Sequence, residues 1–185
     1  TQDYLAEIDG LPDQLQRAWE LGQRQPLPDW TGFQRVVIAG MGGSAIGADL
    51  LSAYVAPHCS LPLIVQRSYG LPAWARGPET LLITSSHSGN TEETLAAFQI
   101  GVERGCRILA LCTGGKIATA ARQANCPVWT FEHQGQPRAA VGYSFGMLLA
   151  AFSRLAILPD PQYELDSALA SMRQLQSSLR AEVPA

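Results

Sequence analysis

Thr80-Leu81-Leu82-Ile83-Thr84 runs through Ser85 into Ser86-His87-Ser88-Gly89-Asn90-Thr91-Glu92-Glu93-Thr94, and this stretch decides the fold. The apolar run has the length of a strand, Gly89-Asn90 marks a bend, and Leu95 and Phe98 then recur at helical spacing. Asn90 with Glu93 three positions later reads as a capping box that starts the helix. Such a loop delivers the hydroxyls of Ser86, Ser88 and Thr91 to a helix N-terminus, where the first N–H groups lack intrahelical acceptors and the macrodipole adds about half a positive charge. That combination binds anions, and phosphate is the first expectation. Plain helix capping is the competing reading, but it needs one or two such side chains and not three. First-turn Glu92 and Glu93 suit the dipole and are expected to point away from the ligand.

A second unit repeats the pattern. Arg35-Val36-Val37-Ile38-Ala39 reads as a strand, Gly40-Met41-Gly42-Gly43-Ser44 breaks it, and Ile46, Leu50, Leu51 and Tyr54 resume at helical spacing. The glycines let a ligand approach the backbone or serve a tight turn, and Ser44 adds a hydroxyl. Gly40-Met41-Gly42-Gly43-Ser44-Ala45 also satisfies the dinucleotide fingerprint Gly-x-Gly-x-x-Gly/Ala, but no acidic residue stands near Val65-Gln66-Arg67-Ser68 to hold a ribose. Arg67 instead suits a 2′-phosphate, which keeps an NADP-binding domain as a rival.

Further apolar runs at Leu63-Ile64-Val65, Ile108-Leu109-Ala110-Leu111 and Val128-Trp129-Thr130-Phe131 complete five strands, with room for a helix between successive ones. Continuous apolar character means that both sheet faces are covered, so the expected fold class is α/β: a doubly wound five-stranded parallel sheet in an αβα sandwich, in the flavodoxin-like order 2-1-3-4-5. Both hydroxyl-bearing loops then lie at the carboxyl edge of the sheet, where such folds bind ligands. Tyr4 to Ile8 and Leu11 to Leu21 form a helical leader, Pro12 standing at a break or first turn. Gln136-Pro137-Arg138-Ala139-Ala140 opens a long helix with Leu148, Leu149, Phe152 and Leu155 at core spacing. Tyr163 to Leu179 carries Leu165, Leu169, Met172, Leu175 and Leu179 on one stripe.

The chain has 185 residues, 46% apolar and 16% charged, with a net charge of −3, which gives one sizeable core and no basic field for nucleic acid. No run approaches the ~20 apolar residues of a membrane span. Cys59, Cys106, Cys112 and Cys126 lack Cys-x-x-Cys spacing and metal-spaced histidines, so they read as free thiols in a reducing, cytoplasmic setting with no metal and no cofactor. The start at Thr1 shows no charged-then-apolar leader and reads as trimmed. His87 tempts a catalytic role but is expected to face away from Ser86 and Ser88; His58 and His133 have weaker claims. Arg138, behind Pro137, stands either over the ligand crevice or at the surface.

Together, Gly40-Met41-Gly42-Gly43-Ser44, the Ser86 to Thr94 segment and Pro137-Arg138-Ala139-Ala140 with Gly142-Tyr143 resemble the sugar isomerase (SIS) domain, most closely the first half of the bifunctional phosphoglucose/phosphomannose isomerase family. The resemblance implies a hexose 6-phosphate site in which Gly42, Gly43 and Ser44 form the first loop, Ser86, Ser88 and Thr91 hold the phosphate, and Arg138 is the catalytic arginine beside the reacting end of the sugar. The family usually has Tyr where His87 stands, which weakens a family role for His87. It also implies a leader over residues 1–30, the SIS domain over 31–158, and a helix and linker over 159–185 toward a second SIS domain, with Glu182-Val183-Pro184 at the junction. The glutamate, histidine and lysine that complete the family's chemistry belong to that second half. A homodimer or pairing with a second SIS domain follows, with a free-standing phosphosugar-sensing module as the alternative function.

Overall fold

The computed structural model describes residues 4–179; Thr1 and the Glu182-Val183-Pro184 junction lie outside the described residues. The leader forms helices α1 (Tyr4–Asp9) and α2 (Leu11–Arg24), with Pro12 in the first turn of α2. Strands β1 (Arg35–Gly40), β2 (Leu63–Gln66), β3 (Thr80–Ser86), β4 (Arg107–Cys112) and β5 (Val128–Thr130) form one sheet. Its order is β2-β1-β3-β4-β5 and every pairing is parallel, as the sequence implied. Helices α3 (Gly42–Val55), α4 (Glu92–Glu103) and α5 (Gly115–Gln123) are crossovers; a 3₁₀ turn (Pro137–Ala140) leads into α6 (Val141–Arg154), and α7 (Gln162–Leu179) follows.

Strand side chains alternate between two cores. Val36, Ile38, Leu81, Ile83, Leu109, Leu111 and Trp129 face α2, α3, α6 and α7, whereas Val37, Ala39, Leu82, Ile108 and Ala110 face α4 and α5. Helix α6 is buried over seven consecutive residues, Gly146 to Phe152, because α2 and α3 pack against it and its side chains share a core with those of the sheet. Burying Met147 or Phe152 fully stabilises the fold by about 1.5–3 kcal/mol each. Arg154, in the last turn of α6, donates to the carbonyls of Gly22 (2.7 Å) and Gln25 (2.6 Å) at the end of α2 and lies 5.3 Å from the Trp129 ring centroid.

Three expectations change. The first glycine segment is no loop: α3 begins at Gly42, so Gly42, Gly43 and Ser44 are its first turn. The capping box at Asn90 and Glu93 does not form, because the N-cap of α4 is Thr91, without a side-chain cap bond. The stripe on α7 outruns the core: Leu165 and Leu169 are buried, but Leu175 is 57% and Leu179 75% exposed.

Candidate functional site at the carboxyl edge of the sheet

In the β1–β3 ladder Ala39 pairs with Thr84 and Gly40 with Ser85, which brings the chain segments after both strands out side by side. They are tied directly: buried Ser44 accepts at Oγ a hydrogen bond of 3.1 Å from the His87 N–H. Its own hydroxyl hydrogen is left for another acceptor. Gly42, exposed at φ +52°, and Gly43 open α3, so their N–H groups have no intrahelical acceptor. Gly43 is required for packing as well, since a Cβ there would lie 2.5 Å from the Pro137 carbonyl oxygen and 3.0 Å from the Arg138 Cα. The first turn of α3 therefore seats the 3₁₀ turn, a use of glycine that the sequence pattern does not distinguish from ligand approach.

The second segment is held by its own hydroxyls. Ser86 is buried, accepts from the Gly89 N–H at 3.1 Å, and its Oγ lies 2.9 Å from Thr91 Oγ1. One hydrogen closes the Ser86–Thr91 pair and the other remains to be donated. With Thr91 turned to Ser86, the first-turn amides of α4 receive no side-chain cap. Ser88 is exposed and accepts from the Asn90 N–H at 3.2 Å, leaving its hydroxyl hydrogen outward. Glu92 is engaged by the Tyr69 phenol, which donates to its carboxylate at 3.1 Å; that acceptor raises the Tyr69 pKa.

Arg138 sits on the exposed 3₁₀ turn with its backbone against Gly43, and no bond to its guanidinium is formed among the described residues. The structure thus gathers Gly42, Gly43, Ser44, Ser86, Ser88, Thr91 and the backbone of Arg138 at one sheet edge. His87 points elsewhere. Its Nε2 lies 2.9 Å from His133 Nδ1, and His133 Nε2 lies 3.4 Å from the Glu7 carboxylate, forming a chain from the β3 loop to α1. Burial and the neighbouring His133 both lower the His87 pKa, so the ring is neutral at pH 7.

Sequence reading missed the supports of this loop. Thr113, after β4, donates from N–H (2.9 Å) and Oγ1 (2.7 Å) to the His87 carbonyl, and Asn90 Oδ1 accepts from the Lys116 N–H at 3.1 Å. Gly89, at φ +68°, approaches the Gly114 carbonyl so closely that any side chain there would collide. Thr113-Gly114-Gly115 was the available signal, being a third strand–loop–helix junction. No group of three or more His, Cys, Asp or Glu side chains among the described residues is placed to hold a metal ion.

No family model matches the sequence. The chain is 41% identical over 178 residues to a bifunctional phosphoglucose/phosphomannose isomerase of Caldicellulosiruptor bescii, covering 96% of this chain and 52% of that protein. Over nearly its whole length the chain is homologous to one half of the bifunctional phosphoglucose/phosphomannose isomerases. Another member, from Aquifex aeolicus, is 31% identical over 94% of this chain and 50% of its own length, so the chain spans about half of the curated relatives it matches. Among solved structures, the C-terminal domain of glucosamine-fructose-6-phosphate aminotransferase from Francisella tularensis superposes with a TM-score of 0.61 at 12% identity, over 96% of this chain and 54% of that one. That likeness is one of fold, and it agrees with the SIS architecture. No helix among the described residues is long and apolar enough to cross a membrane.

Proposed function

We propose that this chain is the phosphosugar-binding SIS half of an aldose–ketose isomerase acting on glucose 6-phosphate and mannose 6-phosphate to give fructose 6-phosphate. One observation carries the reading: the hydroxyl oxygen of Thr91, the N-cap of α4, lies against Ser86 instead of capping the helix, which leaves the first turn uncapped beside hydroxyl donors. A helix start that has a capping residue in place and does not use it for capping is prepared for an external anion. Ser44, Ser88 and Thr91 donate to the phosphate, Ser86 holds Thr91 in position, and the Gly42 and Gly43 N–H groups line the approach. Arg138 reaches over the same edge and stabilises charge developing on the sugar oxygens as the proton moves between carbons through a cis-enediolate.

The relatives named as isomerases support the enzymatic reading over a free-standing sensor. Ile46 and Leu50, 49% and 48% exposed and one turn apart on α3 just beyond the site, support pairing with a second SIS domain or a second copy. Four free cysteines support a cytoplasmic setting.

Thermal unfolding of the purified chain with fructose 6-phosphate, inorganic phosphate or NADPH tests the reading, because a ligand that binds only the folded state raises apparent stability. Fructose 6-phosphate is expected to raise the midpoint most. A rise with NADPH and none with fructose 6-phosphate refutes the proposal.

A further inference from the structure

A second cleft, of about 680 Å³, opens beyond the β5 edge of the sheet between α2 and α5. The arginines single it out. Arg35, Arg76, Arg104, Arg107 and Arg154 donate to backbone carbonyls, while Arg67 and Arg173 pair with Asp49 and Asp13. Among the described residues, Arg17, Arg24, Arg122 and Arg138 are left without an acceptor. Arg138 belongs to the phosphosugar edge, and the other three all line this cleft. In a chain with a net charge of −3 and a single lysine, three unpaired guanidinium groups around one cavity outnumber its two lining carboxylates, Glu20 and Glu132, and leave it locally positive.

Their spacing narrows the ligand. Arg17 and Arg24 stand two turns apart on one face of α2, about 10.5 Å along its axis, and Arg122 comes from the facing wall. That spread suits an elongated molecule with anionic groups at both ends better than one compact anion. Between and opposite the arginines stand Glu20, which accepts from Gln16 Nε2, and Glu132. These carboxylates repel an anion at mid-ligand and accept hydrogen bonds from hydroxyls. Phe131 and Tyr143, stacked with centroids 5.0 Å apart, form an apolar floor for the carbon skeleton. The volume lies in the range of small-molecule sites. We infer that this cleft binds a phosphorylated polyol with anionic groups at both ends, of the sugar bisphosphate class, as a site separate from the phosphosugar loops. Thr113 lines the cleft and donates to the His87 carbonyl, while the His87 N–H donates to Ser44, so the backbone of His87 links the cleft to the phosphosugar loops.

The test is a titration of fructose 1,6-bisphosphate into the full 185-residue chain, followed by calorimetry and by the arginine Nε–Hε NMR signals, with fructose 6-phosphate and inorganic phosphate as single-anion controls. The Arg17, Arg24 and Arg122 signals should shift with the bisphosphate. Arg17→Gln and Arg122→Gln, both exposed, should each weaken that binding event at least tenfold, Ser88→Ala should leave it intact, and the controls should occupy the cleft at least tenfold more weakly. Unshifted arginine signals, binding insensitive to both arginine variants, or binding abolished by Ser88→Ala would each overturn the inference. Because the arginine signals report the cleft itself, this outcome is independent of whether the Ser88 loop binds hexose phosphates.

Discussion

Ser86, Ser88 and Thr91 look alike in the sequence but have different surroundings. Ser86 is buried and satisfies both Gly89 and Thr91, so Ser86→Ala should cost about 1 kcal/mol of stability as well as ligand affinity. Ser88 is exposed, and its loss should barely move stability. A hydrogen bond to a charged group contributes roughly 1.5–3 kcal/mol, so Ser88→Ala should weaken hexose 6-phosphate binding about tenfold or more. Urea unfolding and calorimetry separate the two variants; unchanged affinity in Ser88→Ala would return that hydroxyl to a turn-forming role. His87 gives a pH prediction. Its folded pKa lies below the ordinary histidine value of about 6.5, so the unfolded chain takes up the proton first as pH falls. The stability contributed by neutral His87 is complete above about pH 6.5 and is lost as pH drops from there through the folded pKa. The urea midpoint should therefore fall more steeply from pH 7 to 5 in the wild type than in His87→Gln, and parallel pH curves would contradict this.

Among the elements, the β3–α4 junction is fixed by its neighbour β4–α5. Gly89 rests against Gly114, its carbonyl accepts from the Ile117 N–H, and Asn90 accepts from the Lys116 N–H. Gly89→Ala adds a Cβ where φ is positive and backbone already stands, so it should destabilise by about 2–3 kcal/mol and displace the Ser88 and Thr91 hydroxyls together. The expected signature is a lower unfolding midpoint together with lost hexose phosphate binding, and retention of both would show that the junction yields. Helix α7 behaves differently. Trp19 Nε1 donates to Gln162 Oε1 at 2.9 Å and Arg173 pairs with Asp13 at 3.0 Å, yet the apolar stripe continues past these ties into solvent at Leu175 and Leu179.

At the scale of the whole molecule, the proposed activity depends on which groups this single SIS domain contains. Isomerisation needs a base at the sugar carbons, and general acid–base catalysis alone supplies about 10²–10⁴-fold. Of the carboxylates in the motif, Glu92 is engaged by Tyr69, and Glu93 enters no hydrogen bond or ion pair among the described residues. The isolated chain should accordingly bind hexose 6-phosphates and show no turnover above background in a coupled assay. Robust conversion abolished by Glu92→Gln or Glu93→Gln would contradict the reading of the chain as half of a catalytic unit.

The sequence by itself determined the sheet and its edge. Five unbroken apolar runs separated by helix-length segments admit few layered solutions, and right-handed crossovers then impose the strand order and bring the Ser44 and Ser86–Thr91 segments to the same end. Local patterns, however, do not reveal which polar partner a side chain takes once distant segments meet. Only the tertiary structure turned Gly43 toward Pro137, moved the cap of α4 from Asn90 to Thr91 while sending the Thr91 hydroxyl to Ser86, linked His87 through His133 to Glu7, and left three arginines facing one cleft. Periodicity is a property of neighbouring residues in the chain, whereas a hydrogen-bond partner or a close backbone approach is set by residues tens of positions away, which only folding brings within reach.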